Sequence, residues 1–318
     1  MLMKLLISRR LPDSVMADAE DRFHVTCRTT TLPMDHAECV AALHAYDVIL
    51  PTLGDAFTAR AFAEAGEPRC KLLANFGVGY NHIDVAAAQA AGIAVTNTPG
   101  AVTDATADIA MTLILMTARR AGEGERLVRS GQWTGWHPTQ MLGLHVTGKT
   151  VCVIGMGRIG QAIARRCHFG FGCRIVYVNR SAKAVDFPAE QMDMADALGQ
   201  ADIVVLATPG AADTHHLIGA EAFAAMQPHA IFVNISRGDV VDEAALITAL
   251  QQGALAGAGL DVYEFEPRVP DALLGMENVC LLPHLGTAAL EVRESMGRMA
   301  LDNVIAQSEG RALPNPVG

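Results

Sequence analysis

The amino-acid sequence predicts an α/β fold: two doubly wound parallel-sheet, Rossmann-like domains separated by an active-site cleft. Three observations carry this expectation. Short β-branched or apolar runs alternate with alanine-rich stretches along almost the whole chain, the pattern of parallel sheets covered on both faces. These runs form two series, the second starting afresh at Thr150. The 318 residues, 51% of them hydrophobic, suffice for two domains that each bury a core.

In the first series, strands are expected at Lys4–Ile7, His24–Cys27, Asp47–Leu50, Lys71–Ala74 and Ile93–Thr96, with helices such as Ala56–Ala65 and Val85–Ala91 between them. A long helix is expected over Thr103–Arg120, capped by Thr103 or Asp104 and closed by Gly122. The second series places strands at Val151–Ile154, Arg174–Val178, Ile203–Ala207, Ile231–Ile235, Gly257–Leu260 and Val279–Leu282. Six strands suit a doubly wound nucleotide-binding sheet. A last helix over Ala288–Gln307 is placed to cross back into the first domain. Residues 1–102 and 288–318 are therefore expected to form a substrate-binding, flavodoxin-like domain, and residues 103–287 a dinucleotide-binding Rossmann domain.

A formal net charge of -10 argues against nucleic acid or an anionic membrane surface as partner. An anionic substrate must then be drawn in by local cations. The apolar stretch before Arg9, Arg10 and Pro12 is too short for a signal-peptide core, and no run approaches the ~18 apolar residues of a spanning helix. The seven cysteines show no C-x-x-C pair and read as reduced core thiols, which points to the cytoplasm. His215 and His216 are adjacent, but no Cys, Asp or Glu lies near them at ligand spacing, so no metal site is expected.

Gly155-Met-Gly157-Arg158-Ile159-Gly160 follows an apolar strand and opens the helical stretch Gln161–Cys167. In that setting Gly155 permits the tight turn, Gly157 lets the backbone approach a pyrophosphate, and Gly160 lets helix and strand pack closely, with the phosphates on the helix N-terminus. About twenty residues on, the chain reads Asn179-Arg180-Ser181, where NAD-binding folds usually carry an acid for the ribose 2′-hydroxyl. Asparagine removes the charge that would repel a 2′-phosphate, Arg180 can pair with one, and Ser181 can donate to it. NADP is therefore expected ahead of NAD. The alternative is a surface arginine engaged by Asp186 or Glu190.

Ligands of open α/β sheets lie beyond the carboxyl ends of the strands. There the second series carries Thr208-Pro209, Ser236-Arg237-Gly238, Asp261 and Pro283-His284-Leu285-Gly286, with Glu266 a few residues beyond the fifth strand. Hydride reduction of a ketone puts negative charge on the carbonyl oxygen, so a proton donor working near neutrality is needed beside it. His284 meets that need, Glu266 can orient its ring and stabilise the imidazolium, and Arg237 can hold a carboxylate in a two-pronged grip that lysine cannot reproduce. Taken singly, each has a bland alternative: a loop cation, a surface acid, a core histidine. In the first series, Asn75-Phe-Gly77-Val78-Gly79-Tyr80-Asn81 follows a strand, and its amides can form an anion-binding nest or simply a turn.

These residues resemble the D-isomer-specific 2-hydroxyacid dehydrogenase family, and within it the glyoxylate/hydroxypyruvate reductase branch. The likeness runs through Gly77–Asp84, Thr98–Asp108, Gly148-Lys-Thr, Gly155–Gly160, Asn234–Gly238, Gly259–Pro267 and Pro283–Ala288. It implies that Arg237 binds substrate, that Glu266 supports His284, and that Val78 and Gly79 offer amides to the carboxylate. It also implies cofactor contacts from Thr106, Thr208, Pro209, Ile235 and Asp261, a homodimer, and closure between domains that excludes water. Trp136 and Met141 lie in a segment that in related reductases reaches the neighbouring subunit. Asn179, and Asp108 where many members have glutamate, depart from the family pattern. Glu266 speaks against a formate dehydrogenase, which pairs its histidine with glutamine. The alternatives are a relative acting on another 2-oxo acid and a non-enzymatic, corepressor-like dinucleotide sensor.

Overall fold

A computed structural model describes residues 2–318, and the chain divides into two compact units, Met1–Val102 with Ala288–Gly318, and Thr103–Thr287. The first contains β1 (Lys4–Ile7), α1 (Asp13–Glu20), β2 (His24–Cys27), α2 (His36–Ala45), β3 (Val48–Leu50), α3 (Ala59–Ala65), β4 (Leu72–Ala74), α4 (Val85–Ala90) and β5 (Ala94–Thr96). The second contains α5 (Thr103–Ala118), α6 (Ala121–Arg129), β6 (Thr150–Ile154), α7 (Arg158–Phe171), β7 (Arg174–Val178), β8 (Ala189–Gln191), α8 (Met194–Gln200), β9 (Ile203–Leu206), α9 (Ala220–Ala225), β10 (Ile231–Asn234), α10 (Glu243–Gln251), β11 (Gly257–Leu260), α11 (Asp271–Leu274) and β12 (Val279–Leu281). The chain then returns to the first unit as α12 (Leu290–Ser308).

In the first unit the sheet order is β2-β1-β3-β4-β5, every pair parallel. This is the flavodoxin-like order, whose switch point lies between β1 and β3. Helices start where the chain supplies a cap. Asp35 accepts from the Glu38 amide while Glu38 reaches back to the Asp35 amide, and Asp84 caps α4 through Ala87. The expected start of α3 at Ala56 moves to Ala59, because Thr58 caps the helix and Phe57 bridges to Ile83 as extended chain. α12 packs on α1 and β4, and its Ala300, Leu301 and Val304 share a core with Leu5, Ile7 and Val15. At Gly297 a Cβ would stand 2.7 Å from Val15 Cγ1, so the two helices meet at glycine.

The second unit orders its sheet β12-β11-β10-β9-β6-β7-β8, again all parallel. Seven strands replace the expected six. The additional one, β8, is a polar, part-exposed edge segment, Ala-Glu-Gln, with no apolar run to reveal it. The helix expected to run to Arg120 ends at Ala118, because Arg120 takes a left-handed conformation (φ 53°) held by its guanidinium on Glu123. Gly122 therefore lies inside α6 and not beyond a C-terminus. Nor do Thr103 and Asp104 precede the helix as caps: both lie within its first turn, and Asp104 pairs with Arg166 at 3.0 Å.

Two apolar layers flank this sheet, one including Val204, Phe232 and Leu246, the other Ile114, Ile163 and Val205. All seven cysteines are unbridged. Burial raises the thiols of Cys39, Cys70, Cys152 and Cys167 to about 12, which leaves them inert at neutral pH. Among the described residues no helix is long and apolar enough to cross a membrane.

Candidate active site

The switch point of the second sheet lies between β6 and β9, and the glycine-rich turn leaves β6 there. The Gly155 amide bonds the Val178 carbonyl at 2.9 Å. A Cβ at Gly155 would stand 2.7 Å from Thr208 Oγ1, and one at Gly160 would stand 2.0 Å from the Gly155 carbonyl oxygen. At Gly157, by contrast, a Cβ would meet nothing within 4 Å. Two glycines thus serve protein packing, while the third faces open space. α7 begins directly after Gly157, three residues earlier than the expected helical stretch. Its first bond runs from Gln161 to the Gly157 carbonyl at 2.9 Å, leaving the amides of Arg158, Ile159 and Gly160 at a bare helix N-terminus. That cradle fits a dinucleotide pyrophosphate.

Thr208, beyond the end of the neighbouring β9, stands against it. Thr208 donates to the Ile154 carbonyl at 3.1 Å, the Pro209 carbonyl accepts from Thr214, and the Ile235 amide reaches the Leu206 carbonyl. Thr106, in the first turns of α5, donates to the Gly286 carbonyl at 3.2 Å. Beside β7, Asn179 accepts from the Met156 amide (3.2 Å) and donates to the Ser181 carbonyl (2.7 Å). Arg180 has a side chain 94% exposed, and Asp213 is its partner at 3.3 Å. The acids expected beside it are engaged elsewhere, Asp186 by Arg165 and Glu190 by Arg174. Asp213 was invisible to the local reading because it lies 33 residues away.

At the ends of β10, β11 and β12 the structure builds a polar cluster. His284 Nδ1 and Glu266 Oε2 are 2.8 Å apart, while Glu266 Oε1 accepts from the Tyr263 amide at 3.1 Å. Arg237 is half-buried, its Nη1 donating to the Ser236 carbonyl at 2.6 Å. Its loop is pressed onto the Glu266 loop at Gly238, where a Cβ would lie 1.8 Å from the Tyr263 carbonyl carbon. Only glycine permits that approach.

Asp261 holds His284 in place from below. Its carboxylate accepts from the Leu285 and Gly286 amides at 2.6 and 2.8 Å, and its carbonyl accepts from the His284 amide at 2.9 Å. His284 itself sits at φ 55°, a backbone region that costs a non-glycine residue energy and clusters at functional sites.

Electrostatics follow from this packing. Burial acts to raise the Glu266 pKa, yet the hydrogen bond and charge of His284, the Tyr263 amide and Arg237 together hold it below the usual carboxylate range. Burial lowers the Arg237 pKa, opposed by Glu266 and Asp239. Burial also raises Asp261, against the Leu285 amide, His284 and the Gly286 amide.

A carboxylate depressed in the fold stabilises it above its unfolded pKa, and this is lost as pH falls through the folded value. Glu266→Gln should therefore lower the thermal midpoint at roughly pH 5, where an unperturbed Glu (pKa about 4.3) is mostly ionised, and by less as the pH drops further. Melting curves of both proteins from pH 3 to 7 test this; a gap that widened on acidification would contradict the assignment.

In the first unit, Val78 and Gly79 lie on the loop after β4. The Gly77 amide donates to the Asn75 carbonyl at 3.1 Å, whereas among the described residues the Val78 and Gly79 amides meet no acceptor.

A family model for the D-isomer specific 2-hydroxyacid dehydrogenase, NAD binding domain, matches residues 111–286. The chain belongs to the D-isomer specific 2-hydroxyacid dehydrogenase family. It is an NAD(P)-dependent oxidoreductase acting on CH–OH donors. Among this dehydrogenase's relatives, a protein named glyoxylate reductase from Thermococcus onnurineus (strain NA1) is 40% identical, covering 99% of this chain and 95% of its own length. One named glyoxylate/hydroxypyruvate reductase B from Cronobacter sakazakii is 41% identical over 98% of this chain and 97% of its own. The crystal structure of an NADPH-dependent glyoxylate/hydroxypyruvate reductase from Sinorhizobium meliloti, in complex with NADP and malonate, is 34% identical with a TM-score of 0.89, covering all of this chain and 97% of that one.

The premise that no acid lies near His215 and His216 fails in space. His216 Nε2 is 2.9 Å from Glu264, a residue 48 positions away, and the two rings stack at 3.9 Å. The His216–Glu264 bond ties the loop after β9 to the loop that carries Glu266. Asp108, which departs from the family pattern, pairs with Arg166 at 2.9 Å, on the outer side of α5.

Proposed function

We propose that this dehydrogenase reduces glyoxylate or hydroxypyruvate to the 2-hydroxy acid with NADPH, using His284 as general acid/base. The observation that carries the reading is the 2.8 Å pair of His284 and Glu266, set beside Arg237 at the strand ends that continue from the dinucleotide cradle. The relatives' names and the NADP in the Sinorhizobium meliloti enzyme support the substrate and cofactor.

When bound, reduced nicotinamide supplies the hydride to the substrate's carbonyl carbon. With Nδ1 committed to Glu266, the His284 Nε2 edge is left to give the carbonyl oxygen its proton and to take it back in the reverse direction. Arg237 grips the substrate and polarises its carbonyl. Val78 and Gly79 of the first unit offer amides to the carboxylate, so that residues 1–102 with 288–318 bind substrate and residues 103–287 bind the dinucleotide. Arg158, Ile159 and Gly160 receive the pyrophosphate. Thr106, Thr208, Pro209, Ile235, Asp261 and Gly286 make further cofactor contacts. Asp261 acts mainly by holding the His284 turn, since its carboxylate oxygens already accept backbone amides.

Asn179, Arg180 and Ser181 favour a 2′-phosphate. A panel of 2-oxo acids assayed with both reduced cofactors should give highest kcat/KM for glyoxylate or hydroxypyruvate with NADPH. Arg180→Ala should reduce the NADPH-over-NADH ratio roughly tenfold, the worth of one charge-assisted contact. A wild-type preference for NADH would refute the cofactor assignment, and no turnover with any 2-oxo acid would favour a dinucleotide sensor.

We also take the enzyme to be a cytoplasmic homodimer with neither nucleic-acid nor membrane partners. Exposed Trp133, Trp136 (79% exposed) and Leu142, all between α6 and β6, support coverage of that segment by a second copy.

A further inference from the structure

The amide pair of Val78 and Gly79 is held by two side chains of the same unit, Asn75 and Asn97. Asn75, 1% exposed, directs its Nδ2 at two carbonyls, those of Gly77 (3.0 Å) and Gly79 (3.1 Å). Asn97 directs its Nδ2 at the carbonyl between them, Val78 (2.9 Å). The Gly77 carbonyl also accepts from the Thr98 amide at 3.0 Å. The two carbonyls can accept only from the NH2 end of the Asn75 amide, which leaves Asn75 Oδ1 to face His82 Nε2 at 3.1 Å.

A trans peptide is planar, with its carbonyl and its N–H pointing to opposite sides. The Gly77 carbonyl shares a plane with the Val78 N–H, and the Val78 carbonyl shares one with the Gly79 N–H. Pinning both oxygens toward the buried asparagines aims both N–H groups the other way, side by side, the arrangement that receives an anion. Left to itself, a segment with two glycines would sample other orientations and lose that geometry.

We propose that Asn75 and Asn97 are positioning residues for substrate: they clamp three successive carbonyls and so preorganise the Val78 and Gly79 amides for a carboxylate. This rests on the reading that those amides receive the substrate carboxylate. Neither asparagine touches substrate. Preorganisation matters because a loop already in its binding conformation loses less entropy on binding.

The test uses the NADPH complex and oxamate, a carboxylate that is not reduced. In the wild-type enzyme, oxamate should shift the 15N–1H resonances of Val78 and Gly79. Asn75→Ala should weaken oxamate roughly tenfold or more and raise the substrate KM in proportion. The NADPH Kd should not change, and kcat should change less than KM. Asn97→Ala releases one carbonyl and should do the same to a smaller degree, with the loss concentrated at the Gly79 resonance; it decides the matter if Asn75→Ala does not fold. Shifts at both amides with undiminished affinity in the variants would overturn the clamp while leaving the carboxylate reading intact. The absence of shifts at saturating oxamate would overturn both.

Discussion

His284→Ala should lower kcat by about a thousandfold, within the range a positioned general acid contributes, while leaving the Kd for NADPH unchanged. The cofactor cradle is built from the β6 turn and the N-terminus of α7, to which His284 donates nothing. The loss should therefore appear in the chemical step and not in cofactor binding. Added imidazole should restore part of the rate, with the pH dependence of the added base. A variant that kept more than a tenth of wild-type kcat would remove His284 as proton donor. Glu266→Gln is the milder lesion, because glutamine can still accept a hydrogen bond at Nδ1 and so hold the ring.

Arg237→Lys should reduce kcat/KM by ~100-fold or more, although it keeps the positive charge. Two parallel N–H···O bonds become at most one, and each charge-assisted bond is worth about 1.5–3 kcal/mol. The shorter reach also leaves Glu266 with a weaker neighbour, since Arg237 helps to depress the Glu266 carboxyl. Steady-state kinetics with glyoxylate separate the contributions: a higher KM reports the lost carboxylate grip, and a lower kcat reports weaker polarisation of the carbonyl. A lysine enzyme with unchanged kcat/KM would show that Arg237 serves the loop and not the substrate.

Much of the architecture was legible because buried parallel strands announce themselves as short β-branched runs, as at Val151–Ile154 and Ile203–Leu206. β8 escaped because an edge strand needs only backbone pairing, and its Glu190 and Gln191 face solvent. The end of α5 escaped because the turn is made by Arg120 and Glu123, residues that equally suit a helix interior.

At the site, Glu266 and His284 were legible as neighbours because adjacent parallel strands bring their carboxyl ends together. The Arg180–Asp213 pair, the His216–Glu264 bond and the Asn75–Asn97 clamp join loops far apart along the chain, and no local pattern encodes them. Gly238 marks the boundary between the two cases. Its position in a loop is ordinary, and only the backbone of Tyr263 pressed against it explains why no side chain can stand there.

The return of α12 to the first sheet has a consequence during synthesis. The ribosome completes every strand of that sheet early, then delivers the whole of Thr103–Thr287 before the helix that covers Leu5, Ile7 and Val15 emerges. At roughly 5–20 residues per second, a nascent α/β layer waits on the order of ten seconds or more with an apolar flank uncovered. During that wait the later-made unit can fold first, and the earlier one completes its core only when the last helix arrives.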